Sequence, residues 1–283
     1  EFRRVLFRSK VGRPVKWVGT RSETFFSDHH GRGVKLYGEL ALDKQGTFLG
    51  LRIQWIINAG AYLSSPGGFT NTLAPSGNIV NIYRTPAVHG LHRLVLTNTT
   101  ATTPYRGAAR PNVSYMMERL VDEAAIEMGI DRVELRRRNL IPKEAFPYKT
   151  PTGNEYDSGD PAGLLDDVLR HSDYAGFEKR RAEARARGKL RGISVCTFVE
   201  PAGGGGSPVE ETAIQFGAAG NPTIYTVSGP SGQGHETVFP EIVAQTLGLD
   251  PLNVTLKYSD PDGPALDRKS TRLNSSHVAL SRM

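Results

Sequence analysis

At 283 residues, with 38% apolar side chains, the chain is long enough to bury a large core in two domains, and it holds no apolar run that would cross a bilayer. A single cysteine, Cys196, excludes an internal disulfide framework and any cysteine-rich metal or iron–sulfur site within the chain, and points to a reducing compartment. The formal charge of +6 makes no nucleic-acid footprint: Arg3, Arg4, Arg8 and Lys10 stand against Glu1 at one end, Arg268, Lys269, Arg272 and Arg282 face no acid at the other, and the residues between them carry a slight net negative charge.

Residues 1–10 lack an initiator Met and the apolar core of a signal peptide, and residues 268–283, biased to Ser, Arg and Asn, follow no helix or strand period. Both ends read as non-native scars, behind which a targeting signal would not be visible. Residues 34–58 predict a β-hairpin around the turn Asp43-Lys44-Gln45-Gly46, with Leu49, Leu51, Ile53, Trp55 and Ile57 on one buried face. A long irregular segment rich in Gly, Ser, Pro and Asn follows to residue 85, then a strand-like run at 90–97. His29 and His30 sit side by side with no third ligand at usable spacing, so a polar surface turn is preferred over a metal site.

From Asn112 the apolar positions Val113, Met117, Leu120, Val121, Ala124 and Met128 keep helical spacing up to a stop at Gly129, and Met116, Met117 and Met128 read as core packing. Asp131 and Glu134 predict a capping box for a second helix ending near Asn139. Leu164, Leu165, Val168 and Leu169 mark a third helix, and residues 177–187 a charged, solvated one. Strands are expected at 193–200, with Cys196 buried, and at 212–216, 223–228 and 253–258. A helix over 236–247 carries Phe239, Ile242, Val243 and Leu247 on one side. The pattern is α+β. It divides into a first block at 11–150, a helical connector at 151–190 and a second block at 191–267.

The run Thr226-Val227-Ser228-Gly229-Pro230-Ser231-Gly232-Gln233-Gly234-His235-Glu236-Thr237 carries the most chemistry, because a strand feeds a glycine-dense turn that opens into a helix. Glycines admit close backbone approach, and the first helical N–H groups face outward with the positive end of the dipole behind them, which suits an anion. A nucleoside-triphosphate loop would need Lys and Ser/Thr directly after Gly234, where His235 and Glu236 stand. The esterase elbow fails too, since Gln233 occupies the place of its last glycine. A second turn, Thr103-Pro104-Tyr105-Arg106-Gly107-Ala108-Ala109-Arg110-Pro111, again leads a strand-like segment into a helix through small residues. The two turns together suit one extended phosphorylated cofactor gripped in a shared cleft; a nucleotide- or phosphosugar-binding module without redox chemistry, and a scaffold subunit, are the alternatives.

Gly12-Arg13-Pro14-Val15-Lys16-Trp17-Val18, the Tyr105–Pro111 turn, Glu118-Arg-Leu-Val-Asp-Glu-Ala-Ala, Glu134-Leu-Arg-Arg-Arg-Asn-Leu-Ile-Pro and Gly232-Gln-Gly-His-Glu-Thr occur in this order. With them, residues 11–266 resemble the molybdenum-binding large subunit of the xanthine dehydrogenase, aldehyde oxidase and aerobic carbon monoxide dehydrogenase family. The resemblance implies a fragment made of two molybdopterin-binding subdomains, cytoplasmic, belonging to a molybdenum hydroxylase. It implies molybdopterin, in its cytosine dinucleotide form, with iron–sulfur clusters and FAD on small and medium partner subunits, in a dimer of heterotrimers acting on a small-molecule substrate.

The resemblance further implies cofactor contacts from Arg106, Gly107 and Ala108 and from Gly232, Gln233, Gly234 and His235, with Tyr105 and Ala109 at the substrate pocket, and metal held by the cofactor dithiolene rather than by side chains. In carbon monoxide dehydrogenases the position of Gly107 carries the copper-bridging cysteine, so Mo–Cu chemistry is not expected. Xanthine-oxidising members place an aromatic at the position of Ala108, so an aldehyde or another small or N-heterocyclic substrate is expected. The family's upstream glycine loop and its general-base carboxylate have no counterpart here; Glu200, Glu210 and Glu211 read as solvated loop acids, and the chain by itself is expected to be inactive.

Overall fold

The computed structural model describes residues 10–13, 15–64, 68, 71–72, 76–200, 209–227, 229, 232–258, 260, 262–266 and 268–269. Most of both expected scars, Pro14, the glycine run at 203–206, and Ser228, Pro230 and Ser231 lie outside these residues, as does part of the irregular segment before residue 85.

A short helix α1 (Arg21–Ser27), closed by a full capping box between Thr20 and Glu23, precedes the hairpin β1 (Val34–Leu42) and β2 (Phe48–Gly60). The turn between them is stapled by Asp43, whose Oδ1 accepts the N–H groups of Gln45 and Thr47. β3 (Val88–Leu96) joins the far side of β2 in parallel, giving the order β1-β2-β3. Leu51, Ile53, Trp55 and Ile57 are buried as expected, but Leu49 is 49% exposed. A bulge pairs Leu42 with Phe48 directly after Ala41 with Gly50; it turns Phe48 into the core and Leu49 out of it.

The long helix α2 (Arg110–Met128) lies on β1, ends at Gly129 with φ 64°, and is followed by α3 (Arg132–Asn139). It packs tightly over Gly38, where a Cβ would stand 2.8 Å from Leu120 Cδ1. Asp131 caps α3 by accepting the N–H groups of Val133 and Glu134, but the return half of the capping box is replaced: Glu134 Oε1 takes Arg138 Nε at 2.9 Å. Asn139 closes the end, donating to Gly46 and Leu135 carbonyls and accepting Phe48 N–H. Met116 and Met117 are buried, and Met128 half-buried.

The small ladder of β4 (Tyr148–Lys149) with β5 (Glu155–Tyr156) leads to α4 (Pro161–His171) and α5 (Phe177–Ala186). Burial pushes the Tyr156 phenol up to about 12. Residues 193–200, expected as a strand, form no ladder among the described residues. Their alternation is real, with Val195 in the first core; that same alternation sends Cys196 outward, so it is exposed and not the buried strand residue expected from its neighbours.

The chain forms two compact units, Glu1–Glu200 and Pro201–Met283. Residues 191–200 thus go with the first unit rather than opening the second, because Val195 enters its core and Thr197 bonds to Tyr83 and Glu118. In the second unit β6 (Val209–Glu210) pairs with β10 (Arg268–Lys269). There β7 (Thr212–Phe216), β8 (Pro222–Thr226) and β9 (Thr255–Tyr258) form a sheet in that order, backed by α6 (His235–Leu247). Its core is Ile224, Ala244 and Val254 with Phe239, Val243 and Leu256; Ile242 and Leu247, expected on the packed side, are 55% and 45% exposed.

Candidate cofactor-binding site

In the first unit the chain runs from β3 through buried Ala101 and Thr102 into the turn at 105–109 that opens α2. Gly107, Ala108 and Ala109 have φ of 88°, 44° and 66°, three successive left-handed residues of which only the glycine is free of Cβ strain. The turn is tied internally, Ala108 N–H donating to the Tyr105 carbonyl at 2.7 Å and Arg110 N–H to the Gly107 carbonyl at 2.9 Å. No side chain caps α2. A Cβ on Gly107 would meet Pro111 Cγ at 2.7 Å. Gly107→Ala is therefore expected to lower the urea midpoint, with about 1–2 kcal/mol lost to the left-handed backbone alone; an unchanged midpoint would mean that the turn is not built this way.

Arg106 and Gly107 line a cleft of about 780 Å³ between α2 and residues 194–200. Across it stand Ser194, Cys196, Phe198 and Glu200. Glu200 is exposed, as expected of a loop acid, but it is paired: its Oε1 lies 3.0 Å from Arg110 Nη1. Although Cys196 is exposed as a residue, partial burial, followed by the charge of Glu118, pushes its thiol up and disfavours the thiolate. Among the described residues no group of three or more His, Cys, Asp or Glu side chains would hold a metal ion.

Tyr105 and Ala109 are not brought to this cleft. Tyr105 is 63% exposed with its ring under Arg32, and Ala109, at 7% exposure, lines a separate cavity of about 10 Å³ with Asn58, Asn71 and Thr102.

The cleft wall is held by a buried ionic network that the sequence reading missed. Arg136, fully buried, donates Nε to Glu118 Oε2 at 2.9 Å and places Nη1 2.9 Å from Asp122. Tyr83 Oη donates to Glu118 Oε1 at 2.6 Å, and Thr197 Oγ1 lies 2.7 Å from Tyr83 Oη. Burial first, then the Glu118 charge, pushes the Tyr83 phenol well above its ordinary range. Burial alone would lower the Arg136 pKa, but Tyr83, Glu118 and Asp122 outweigh it and the pKa is raised. Through Thr197 the network fixes residues 194–200 against α2. One signal was readable: Glu118 is an acid on the same helical stripe as Val113, Met117, Val121 and Ala125.

The His30–Arg32 segment lies at the surface, as read from the sequence, but its contacts had not been anticipated. His30 bridges Thr102 in parallel register, and its Nε2 lies 2.9 Å from the Thr100 carbonyl. Arg32 Nη2 donates to the Arg106 carbonyl.

In the second unit, Gly232, Gln233, Gly234 and His235 stand together at the start of α6. Gly232 and Gly234 have φ of 89° and 76°, and Gly234 caps the helix with no side-chain bond among the described residues. Among the described residues nothing stands within 4 Å of a Cβ on either glycine, so it is the backbone angle that selects them. His235 stacks on Phe239 at 4.5 Å, and its Nδ1 is buried with no hydrogen-bond partner among the described residues. Backbone donors with no side-chain cap, beside an orphaned ring nitrogen, fit a polar anionic group.

Two family models, each described as a molybdopterin cofactor-binding domain, match residues 4–140 and 167–270. The chain is 32% identical to the gamma subunit of the 6-hydroxypseudooxynicotine dehydrogenase complex of Paenarthrobacter nicotinovorans, over 89% of this chain and 33% of that protein. It is 33% identical to the carbon monoxide dehydrogenase large chain of Hydrogenophaga pseudoflava, over 84% of this chain and 32% of the relative. The solved quinoline 2-oxidoreductase of Pseudomonas putida 86 superposes with a TM-score of 0.81 at 30% identity, over 89% of this chain and 34% of that one. The chain thus spans about a third of the length of the relatives it matches. With both glycine turns inside the matched spans, and relatives that are molybdopterin oxidoreductase subunits, the chain belongs to the molybdopterin cofactor-binding family of the molybdenum hydroxylase large subunits.

Proposed function

We propose that this chain forms the cofactor-holding part of a molybdenum hydroxylase that oxidises an aldehyde or an N-heterocycle, with molybdopterin in its cytosine dinucleotide form. When bound, the cofactor supplies a redox-active molybdenum centre that hydroxylates a substrate carbon with oxygen from water. The observation that carries the reading is the left-handed turn at 107–109, set at an uncapped helix start beside the cleft that Arg106 lines. The chain's own residues bind and orient. Each unit brings its own anion-receptive turn: Arg106 offers a cation in the first, and the 232–235 turn offers backbone donors suited to a phosphate in the second.

The small side chain at Ala108 leaves no aromatic plate for a purine, which favours small or narrow heterocyclic substrates over xanthine. At Gly107 the clash of any Cβ with Pro111 argues against a bridging side chain there, and with it against carbon monoxide as the substrate. Electrons would leave to iron–sulfur clusters and FAD on small and medium partner subunits, assembled as a dimer of heterotrimers. The complete purified enzyme is expected to contain about one molybdenum per chain and to release a pterin cytosine dinucleotide. A phosphosugar-binding module would contain neither, and faster turnover of xanthine than of an aldehyde and N-heterocycle panel would overturn the substrate assignment.

A further inference from the structure

The turn at 105–109 does not hold its shape through its own sequence. Ala108 and Ala109 are side-chain-bearing residues at positive φ, and such a stretch persists only where neighbouring structure over-determines it. Its two internal hydrogen bonds use the Tyr105 and Gly107 carbonyls. The Arg106 carbonyl between them is taken by Arg32 Nη2, whose guanidinium carbon also lies 4.7 Å from the Tyr105 ring centroid.

Arg32 is itself held at φ 63°. It is delivered there by a backbone template. His30 N–H donates to the Ala101 carbonyl at 3.3 Å, and Thr103 N–H donates to the His30 carbonyl at 3.0 Å. Gly31 comes so near that a Cβ on it would stand 2.7 Å from Tyr105 Cβ. A residue under backbone strain, docked by a template and clamping a second strained turn by both its planar face and its edge, has a positioning task.

We infer that Arg32 is a positioning residue for the cofactor turn: its guanidinium occupies the Arg106 carbonyl and braces Tyr105, fixing the left-handed run at 107–109 in the shape that receives the cofactor. The inference rests on the molybdopterin reading of this turn. The electrostatics favour it as well. A carbonyl dipole left open beside an anionic ligand repels it, whereas one capped by a guanidinium does not, and the cap adds positive charge next to Arg106. The neighbouring Arg110 is already neutralised by Glu200, so Arg32 and Arg106 remain the cations of this turn among the described residues.

The test is Arg32→Met in the complete enzyme, with Arg32→Lys as the conservative partner, read by hydrogen-exchange mass spectrometry of the peptide covering residues 105–113 and by molybdenum and pterin content after gel filtration. Arg32→Met keeps the aliphatic stem but loses the cation and the fork of donors. Amide exchange in that peptide is expected to speed up about tenfold while the β2 peptide is unchanged. Pterin content is expected to fall several-fold, with Arg32→Lys intermediate in both readouts. Unaltered exchange in the turn, or a loosened turn that keeps its full pterin content, overturns the inference. Absence of pterin from the unsubstituted enzyme would overturn the molybdopterin reading as well, and that result is distinct from full retention by the variant.

Discussion

Arg136→Met is expected to destabilise the first unit by about 3–5 kcal/mol, the scale on which a buried ion pair fails when one partner is removed. The guanidinium is fully buried and serves Glu118, Asp122 and the Arg132 carbonyl at once. Methionine fills part of the volume but leaves the Glu118 carboxylate, itself only 6% exposed, facing Tyr83 and Thr197 with no counter-charge. Urea unfolding at neutral pH measures the loss. The companion variant Arg136→Met/Glu118→Gln removes the uncompensated charge and should recover a substantial part of it. A double variant no more stable than Arg136→Met alone would show that packing volume, and not the uncompensated carboxylate, sets the effect. Because Thr197 hangs on the same network, the peptide spanning residues 194–200 should lose exchange protection in Arg136→Met before the β2 peptide does.

Gly60→Ala is expected to cost about 2–5 kcal/mol, combining ~1–2 for a side chain at positive φ with ~1–3 for overpacking. Gly60 has φ 77°, and a Cβ there would stand 2.3 Å from the Thr100 carbonyl oxygen and 2.4 Å from Ala101 Cα. Both obstacles are backbone, so no rotamer change relieves them. The two strands of chain must separate, and the segment that separates leads straight into the Arg106 turn through Ala101 and Thr102. Alanine at Gly129, with similar φ but nothing near its Cβ, supplies the control: it should lose only the backbone part. The difference between their thermal midpoints isolates the steric contribution. Equal losses at both positions would mean that Thr100 and Ala101 do not pack against Gly60.

What the sequence determined by itself was everything with a short period or a local partner. The spacing of Val113, Met117, Val121 and Ala124 made α2 legible, Gly129 its end, and Asp131 the start of α3, because each depends on residues within about one helical turn. The hairpin followed from alternation and its Asp43–Gly46 turn, and both glycine turns from their place between a strand and a helix. Five motifs in order were enough to point to the family.

Tertiary structure decided the rest, and in each case the partners are far apart in the chain. Alternation announced that one of Val195 and Cys196 faces inward, but only the contacts of Val195 with the first core chose which. Glu200 is solvent-exposed as read, but its pairing with Arg110 at 3.0 Å had no sign in the sequence. Glu118 could be noticed on an apolar stripe, yet its partner Arg136 lies on another helix and Tyr83 on a loop. Arg32 gave no local sign, since a guanidinium becomes a clamp only when a bridge to Thr102 carries it beside Arg106. Periodicity reports which face of an element is buried; which charges meet inside is set by how those faces pack, and no spacing along the chain encodes that distance.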